Sequence, residues 1–193
     1  MLSGTHRFPK QDQITYGRPA AEVVAELAKA WGCSRLLVTS TRSLADGLAN
    51  DFAAALGELC VGVFCEIGAH SPRAGVIGGA QAAREAGADL LVALGGGSVI
   101  DATKVMQLCL WADLTGVDQL DAYRAGRGPD RINVTTVPAG VRMIAVPTTL
   151  SAAEFTPFAG VSDAARNVKE GYTHPLLAPR AVVLDPAMTL STP

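Results

Sequence analysis

The sequence is poor in the groups that mark several kinds of function. It has three histidines, His6, His70 and His174, and none is spaced like a metal-ligand set. His70 and His174 fall in proline-bearing loops and read as surface residues. Its four cysteines, Cys33, Cys60, Cys65 and Cys109, form no CxxC pair and sit in apolar contexts. They read as reduced core thiols of a cytoplasmic protein, which argues against both a zinc site and a disulfide framework. No apolar run reaches the length of about 18 residues that spans a bilayer, so no membrane partner is expected. The opening "MLSGTHRFPKQDQ" has no apolar core, so no secretory signal is read there. Positive charge is not in excess. The formal net charge is -2 with no basic stripe, which argues against a nucleic-acid partner.

What is present is apolar and periodic. Hydrophobic residues make up 49% of the 193 residues, enough for one sizeable domain over residues 1–193. Short apolar runs alternate with helical patterns. "SRLLVTS", "CVGVFCEI", "DLLVAL", "RMIAVPTT" and "RAVVLDP" read as strands. Between them, "PAAEVVAELAKAW" places Val23, Val24, Leu27 and Ala28 on one helical face. "LADGLANDFAAALGEL" places Leu44, Leu48, Phe52 and Leu56 likewise, as one helix. "PRAGVIGGAQAAREAGA" and "SVIDATKVMQLCLW" are two more. Continuous apolar strands alternating with helices predict an α/β fold, a mainly parallel Rossmann-like sheet with helices on both faces. Six or so strands are expected, with one near Ile14 at an edge. Such sheets bind ligands beyond the carboxyl ends of their strands. The segments there are "TSTR", "GAHSP", "GGGS" and "TTLSAAE".

The turn Gly95-Gly96-Gly97-Ser98 lies between a strand and a helix. Residues without Cβ let backbone approach a ligand, and a helix N-terminus offers unpaired N–H groups to a phosphate. Ser98 and Asp101 also have the spacing of a capping box, and the two readings are compatible. The turn is not GxGxxG, so the common dinucleotide fingerprint is absent. Asp101 and Lys104, three apart on one helix, read either as a solvated ion pair or as a polar pair at the mouth of the cleft. In "VPTTLSAAEFTP", Thr148, Thr149 and Ser151 supply hydroxyls to a sugar and phosphates or cap the next segment. Lys169, after the turn "SDAARN", is a surface lysine or reaches a ribose or phosphate.

Together, "GGGSVIDATK", "AVPTTLSAAEFT", "SDAARNVK" and "PRAVVLDPAMTLSTP" resemble the iron-containing (group III) alcohol dehydrogenase family, in order and from Ile14 onward. "PTTLSAAEFTPFAG" looks closer to the maleylacetate reductase branch. The resemblance implies a dehydroquinate synthase-like N-terminal nucleotide-binding domain followed by a helical one. It implies hydride transfer between NAD or NADP and a small-molecule alcohol or aldehyde, in a homodimer joined through N-terminal strands. It further implies pyrophosphate contacts at Gly96, Gly97 and Ser98, with nucleotide contacts at Thr148, Thr149 and Thr156. Lys169 becomes a cofactor lysine, and Ser71 takes a position on the adenine side. The family's metal, Fe2+ or Zn2+, is held by an aspartate and three histidines of the helical domain. No such set is present here, so the chain reads as the cofactor-binding half of a two-domain enzyme. A maleylacetate reductase-like domain and a stand-alone nucleotide-binding module remain as alternatives. Many NAD-using members place an aspartate where Ser40 stands. A serine there removes repulsion of a 2′-phosphate, and Arg42 supplies a cation.

Overall fold

The structure, a computed structural model, describes residues 10–126, 139–190 and 192. His6 lies outside them. Among the described residues, six strands are parallel: β1 (Gln13–Tyr16), β2 (Leu36–Thr39), β3 (Cys60–Phe64), β4 (Leu90–Gly95), β5 (Arg142–Pro147) and β8 (Ala181–Leu184). They form one sheet in the order β1-β8-β5-β4-β2-β3. Two further strands, β6 (Phe158–Asp163) and β7 (Val168–Thr173), form a separate antiparallel hairpin. The expected edge strand at Ile14 is β1.

The central strands are apolar throughout because both of their faces are covered. Alternate side chains go to opposite sides. Leu91 and Ala93 of β4 pack in one core, with Val76, Ala80 and Ala83 of α4 (Arg73–Glu85) and Ile100 and Val105 of α5 (Gly97–Trp111). Leu90, Val92 and Leu94 pack in the other, with Val23, Val24 and Leu27 of α1 (Ala20–Ala30) and Phe52 and Leu56 of α3 (Asn50–Leu56). Each fully buried leucine or phenylalanine here contributes about 1.5–3 kcal/mol relative to exposure.

The helical pattern over Leu44–Leu59 is not one helix. A three-residue turn α2 (Arg42–Leu44) leads into a π-helical stretch (Ala45–Ala49) before α3 begins. The break falls at Gly47, whose φ of -142° and ψ of -106° leave the helical region. The chain thereby runs Arg42–Ala49 along the carboxyl end of the sheet before α3 descends.

The topology places a crevice. From β2 the chain moves outward to β3, then back across to β4 on the other side of β2. The helices after β2 and β4 therefore leave on opposite faces, α3 on one and α5 on the other. Their loops diverge, and the space between them opens at the carboxyl ends of the strands.

Candidate functional site

That space is a cavity of about 700 Å³. It is lined by Thr41, Arg42 and Ser43 after β2, by Glu66 to Ala69 after β3, by Gly96 to Val99 after β4, and by Thr149 after β5. A second cavity of about 500 Å³ shares Thr41, Ser43, Gly96 and Thr149 and extends to Leu44, Leu48, Thr148 and Thr192. The two form one groove across four strand ends.

Its floor is the glycine turn. Gly95 closes β4, Gly96 is the residue before α5, and Gly97 begins that helix, whose N-terminus no side chain among the described residues caps. The glycines are required by close approach. A Cβ on Gly95 would stand 2.5 Å from Val99 Cγ2, one on Gly96 would stand 2.9 Å from Thr149 Oγ1, and one on Gly97 would stand 3.0 Å from Ser151 Cβ. The Thr148 N–H donates to Gly95 O at 3.1 Å, which draws the "PTT" loop onto the turn. The floor is thus bare backbone at the start of a 15-residue helix, where free N–H groups and the positive end of the dipole favour an anion.

The capping box does not form. Ser98 Oγ instead accepts the N–H of His70 at 3.1 Å, and Ser98 O accepts the Ser71 hydroxyl at 2.7 Å. His70 and Ser71 both have left-handed backbones, with φ of 61° and 55°, an unfavourable conformation for either residue. The strained pair holds the Ser98 side chain at the groove wall and leaves its hydroxyl proton free to donate. Ser71 itself is buried and works from behind Ser98.

Asp101 and Lys104 are neither solvated nor at the cleft mouth. Lys104 is fully buried, and its Nζ donates to Ala153 O and Phe158 O, both at 2.7 Å, with Asp101 Oδ1 at 3.3 Å and Thr156 Oγ1 at 3.4 Å. Asp101 Oδ2 accepts the Gly160 N–H at 3.0 Å. The pair ties α5 to β6 and to the loop carrying Ser151. Burial pushes the Lys104 ammonium below its ordinary range, and Asp101 acts in the opposite sense.

The remaining candidates divide. Thr149 lines both cavities and Thr148 one. Thr156 is exposed, its hydroxyl near Ala153 O and Phe158 O. Lys169 is exposed on β7, with its stem across Gly160. Ser40 is fully buried, and its hydroxyl donates to Leu94 O at 2.8 Å. It reaches the groove only through its neighbours Thr41 and Arg42. Arg42 extends over the groove to Glu66, its Nε 2.7 Å from Oε2 and its Nη2 on the same oxygen. The arginine's hydrogen bond holds Glu66 below the usual carboxylate range.

Glu66 was not foreseen. The only signal was a lone acidic residue where the apolar run "CVGVFC" ends. His174 departs from its expected surface place: it is buried, edge-on to Trp111 at 5.1 Å, with Nδ1 accepting the Leu176 N–H. Among the described residues no three His, Cys, Asp or Glu side chains gather as a metal site, and no helix is long and apolar enough to cross a membrane.

Comparison with known proteins agrees with this architecture. Residues 11–186 match the family described as iron-containing alcohol dehydrogenase. The chain is 36% identical over 186 residues to the dehydrogenase FUM7 of Gibberella moniliformis, covering 93% of this chain and 44% of that protein. It is 33% identical over 181 residues to a maleylacetate reductase of Rhizobium sp., covering 94% of this chain and 42% of that one. The chain thus spans less than half the length of these relatives. Among solved structures, the maleylacetate reductase of Agrobacterium tumefaciens superposes with a TM-score of 0.75 at 29% identity, over 100% of this chain and 46% of the other. A sulfoacetaldehyde reductase of Bifidobacterium kashiwanohense, solved in complex with NAD+, shares the fold with a TM-score of 0.85 at 21% identity, over 100% of this chain and 49% of the other. With every strand of the sheet and its glycine turn inside the matched range, the chain belongs to the iron-containing alcohol dehydrogenase family.

Proposed function

We propose that the groove binds a nicotinamide dinucleotide, NAD(H) or NADP(H), with its pyrophosphate on the N-terminus of α5. The observation that carries this reading is the uncapped glycine turn, where added Cβ atoms would collide with Thr149 and Ser151. Backbone N–H groups of the turn and the Ser98 hydroxyl hold the phosphates. Thr148 and Thr149 face the bound chain from β5, and Thr41 and Ser43 flank it from the β2 side. Thr156 and Lys169 line neither cavity; on this reading they reach the bound cofactor from the hairpin side. Asp101 takes part by positioning, through its bond to Gly160. When bound, the nicotinamide supplies a carbon that gives or takes hydride. This segment's part is to anchor and orient it.

In the complete enzyme the partner substrate is an alcohol or aldehyde. The donor set among the described residues does not fit Fe2+ or Zn2+. The metal and substrate pocket belong, on this reading, to sequence outside this segment, and the chain alone turns over little. Similarity to maleylacetate reductases favours a second reading, reduction of an unsaturated keto acid, on the same cofactor groove.

Gly96→Val tests the groove. Calorimetric titration with NADH and NADPH should show binding lost, with the far-ultraviolet circular dichroism unchanged. Unaltered affinity overturns the assignment.

A further inference from the structure

Arg42 and Glu66 come from different strand ends and meet over the groove, both among its lining residues. Their side chains are 81% and 53% exposed. An ion pair this open contributes little to stability and exchanges easily for another partner. Both Arg42 contacts fall on a single oxygen, Oε2, and among the described residues Oε1 of Glu66 accepts no hydrogen bond. Half of the carboxylate is therefore free to accept, and the guanidinium keeps donors unspent.

In open parallel sheets, an acidic residue accepts the ribose 2′-hydroxyl and a nearby arginine takes a 2′-phosphate. Here the position after β2 offers no carboxylate, since Ser40 is buried on Leu94 O. The acidic group arrives instead from the loop after β3, and it arrives already paired with the arginine.

We propose that Glu66 sets the groove's choice between a free and a phosphorylated 2′ position, by holding Arg42 or releasing it. This rests on the groove being a dinucleotide site. With a 2′-hydroxyl, Glu66 keeps Arg42 and accepts the hydroxyl through Oε1. With a 2′-phosphate, the dianion takes the guanidinium fork. Glu66 must then withdraw, because two like charges cannot share that short span without cost. Glu66 therefore favours the unphosphorylated cofactor, and Arg42 without Glu66 favours the phosphorylated one.

The test is a set of dissociation constants for NADH and NADPH at low salt, on the wild-type chain, Glu66→Gln, Arg42→Ala and the double variant. Glu66→Gln should move the NADPH-to-NADH preference toward NADPH by about fivefold, an effect that shrinks as salt screens the exposed charges. In the Arg42→Ala background the same substitution should move the preference by much less, because only the direct repulsion of the phosphate by the carboxylate is then left to remove. Two results overturn the proposal while sparing the groove. One is an unchanged preference in Glu66→Gln. The other is an equal shift with and without Arg42, which would mean simple repulsion by the carboxylate. If the wild-type chain binds neither cofactor, the dinucleotide reading falls and this inference falls with it.

Discussion

Lys104 Nζ stands 2.7 Å from the carbonyl oxygens of both Ala153 and Phe158, so one buried ammonium on α5 clamps the two ends of the segment that leads into β6. The clamp lies two turns beyond the glycine floor, and it fixes the loop whose Ser151 packs against Gly97. Lys104→Met keeps the length of the stem and removes the donor. It leaves two carbonyls and the Asp101 carboxylate without their cation, which costs about 3 kcal/mol. Urea unfolding at neutral pH measures it. A loss below about 0.5 kcal/mol, the scale of an ordinary surface substitution, would return Lys104 to the solvated class.

The acid limb of the stability curve should report Asp121. This carboxylate accepts from Arg166 at 2.6 Å and from the Arg73 guanidinium, and those two bonds, Arg166's first, lower its pKa from 3.8 to about 2. A carboxylate depressed in the folded state contributes stability that is complete above its unfolded value. The contribution is lost as the pH falls through the folded value. The window is therefore from 3.8 down to about 2. Asp121→Asn should flatten the fall of the melting temperature across that window, and an unchanged slope would show that the carboxylate titrates alike in both states.

The glycine turn and Lys104 mark where the sequence was legible and where it was not. The strands of the sheet were readable because burial on both faces makes them continuous apolar runs, as in "LLVALG" and "MIAVP". The glycine turn was readable because strand, glycines and helix adjoin in the chain. The hairpin β6–β7 was not, because Glu170 is buried within it. That carboxylate accepts from Arg73 Nε at 3.0 Å and from Arg124 Nη1 at 2.6 Å, 97 and 46 residues away. Such distant partners make a charge tolerable inside and erase the alternation that marks a strand. Lys104 failed the sequence reading for the same reason: its acceptors are carbonyls about fifty residues on, invisible to helical spacing. The break at Gly47 lay inside a run whose apolar spacing alone reads as unbroken helix.

Ser40→Asp, which places a carboxylate directly after β2, should act on stability before it acts on cofactor choice. The Ser40 side chain is fully buried and bonded to Leu94 O, itself an acceptor. An aspartate there faces a carbonyl in a dry site, so its pKa rises. A carboxyl whose folded pKa is raised is tolerated below its unfolded value and loses stability as the pH rises through the folded one. The melting temperature of the variant should therefore fall further behind wild type at pH 7 than at pH 4. A variant equally stable at both would show the carboxylate reaching solvent beside Arg42, and Ser40 would regain a direct place at the ribose.

The edge strand carries the expectation of a homodimer. β1 pairs with β8 on one side, and among the described residues no strand pairs with its other side. A bare edge is a template for pairing with another chain, and most edges are guarded by charge, proline or cover. Here "QITY" carries no charge, and Ile14 and Tyr16 are 48% and 78% exposed. A second copy related by a two-fold axis would pair β1 with its own antiparallel image and cover both side chains in one self-complementary patch. Ile14→Lys places two ammonium groups across that patch while leaving the β8 side of the strand as it is. Light scattering across concentration should give a dimer mass for the wild-type chain and half of it for the variant, with the melting temperature of the dilute protein little changed. A wild-type chain that stays monomeric throughout, or a variant that stays dimeric, would rule out pairing through β1.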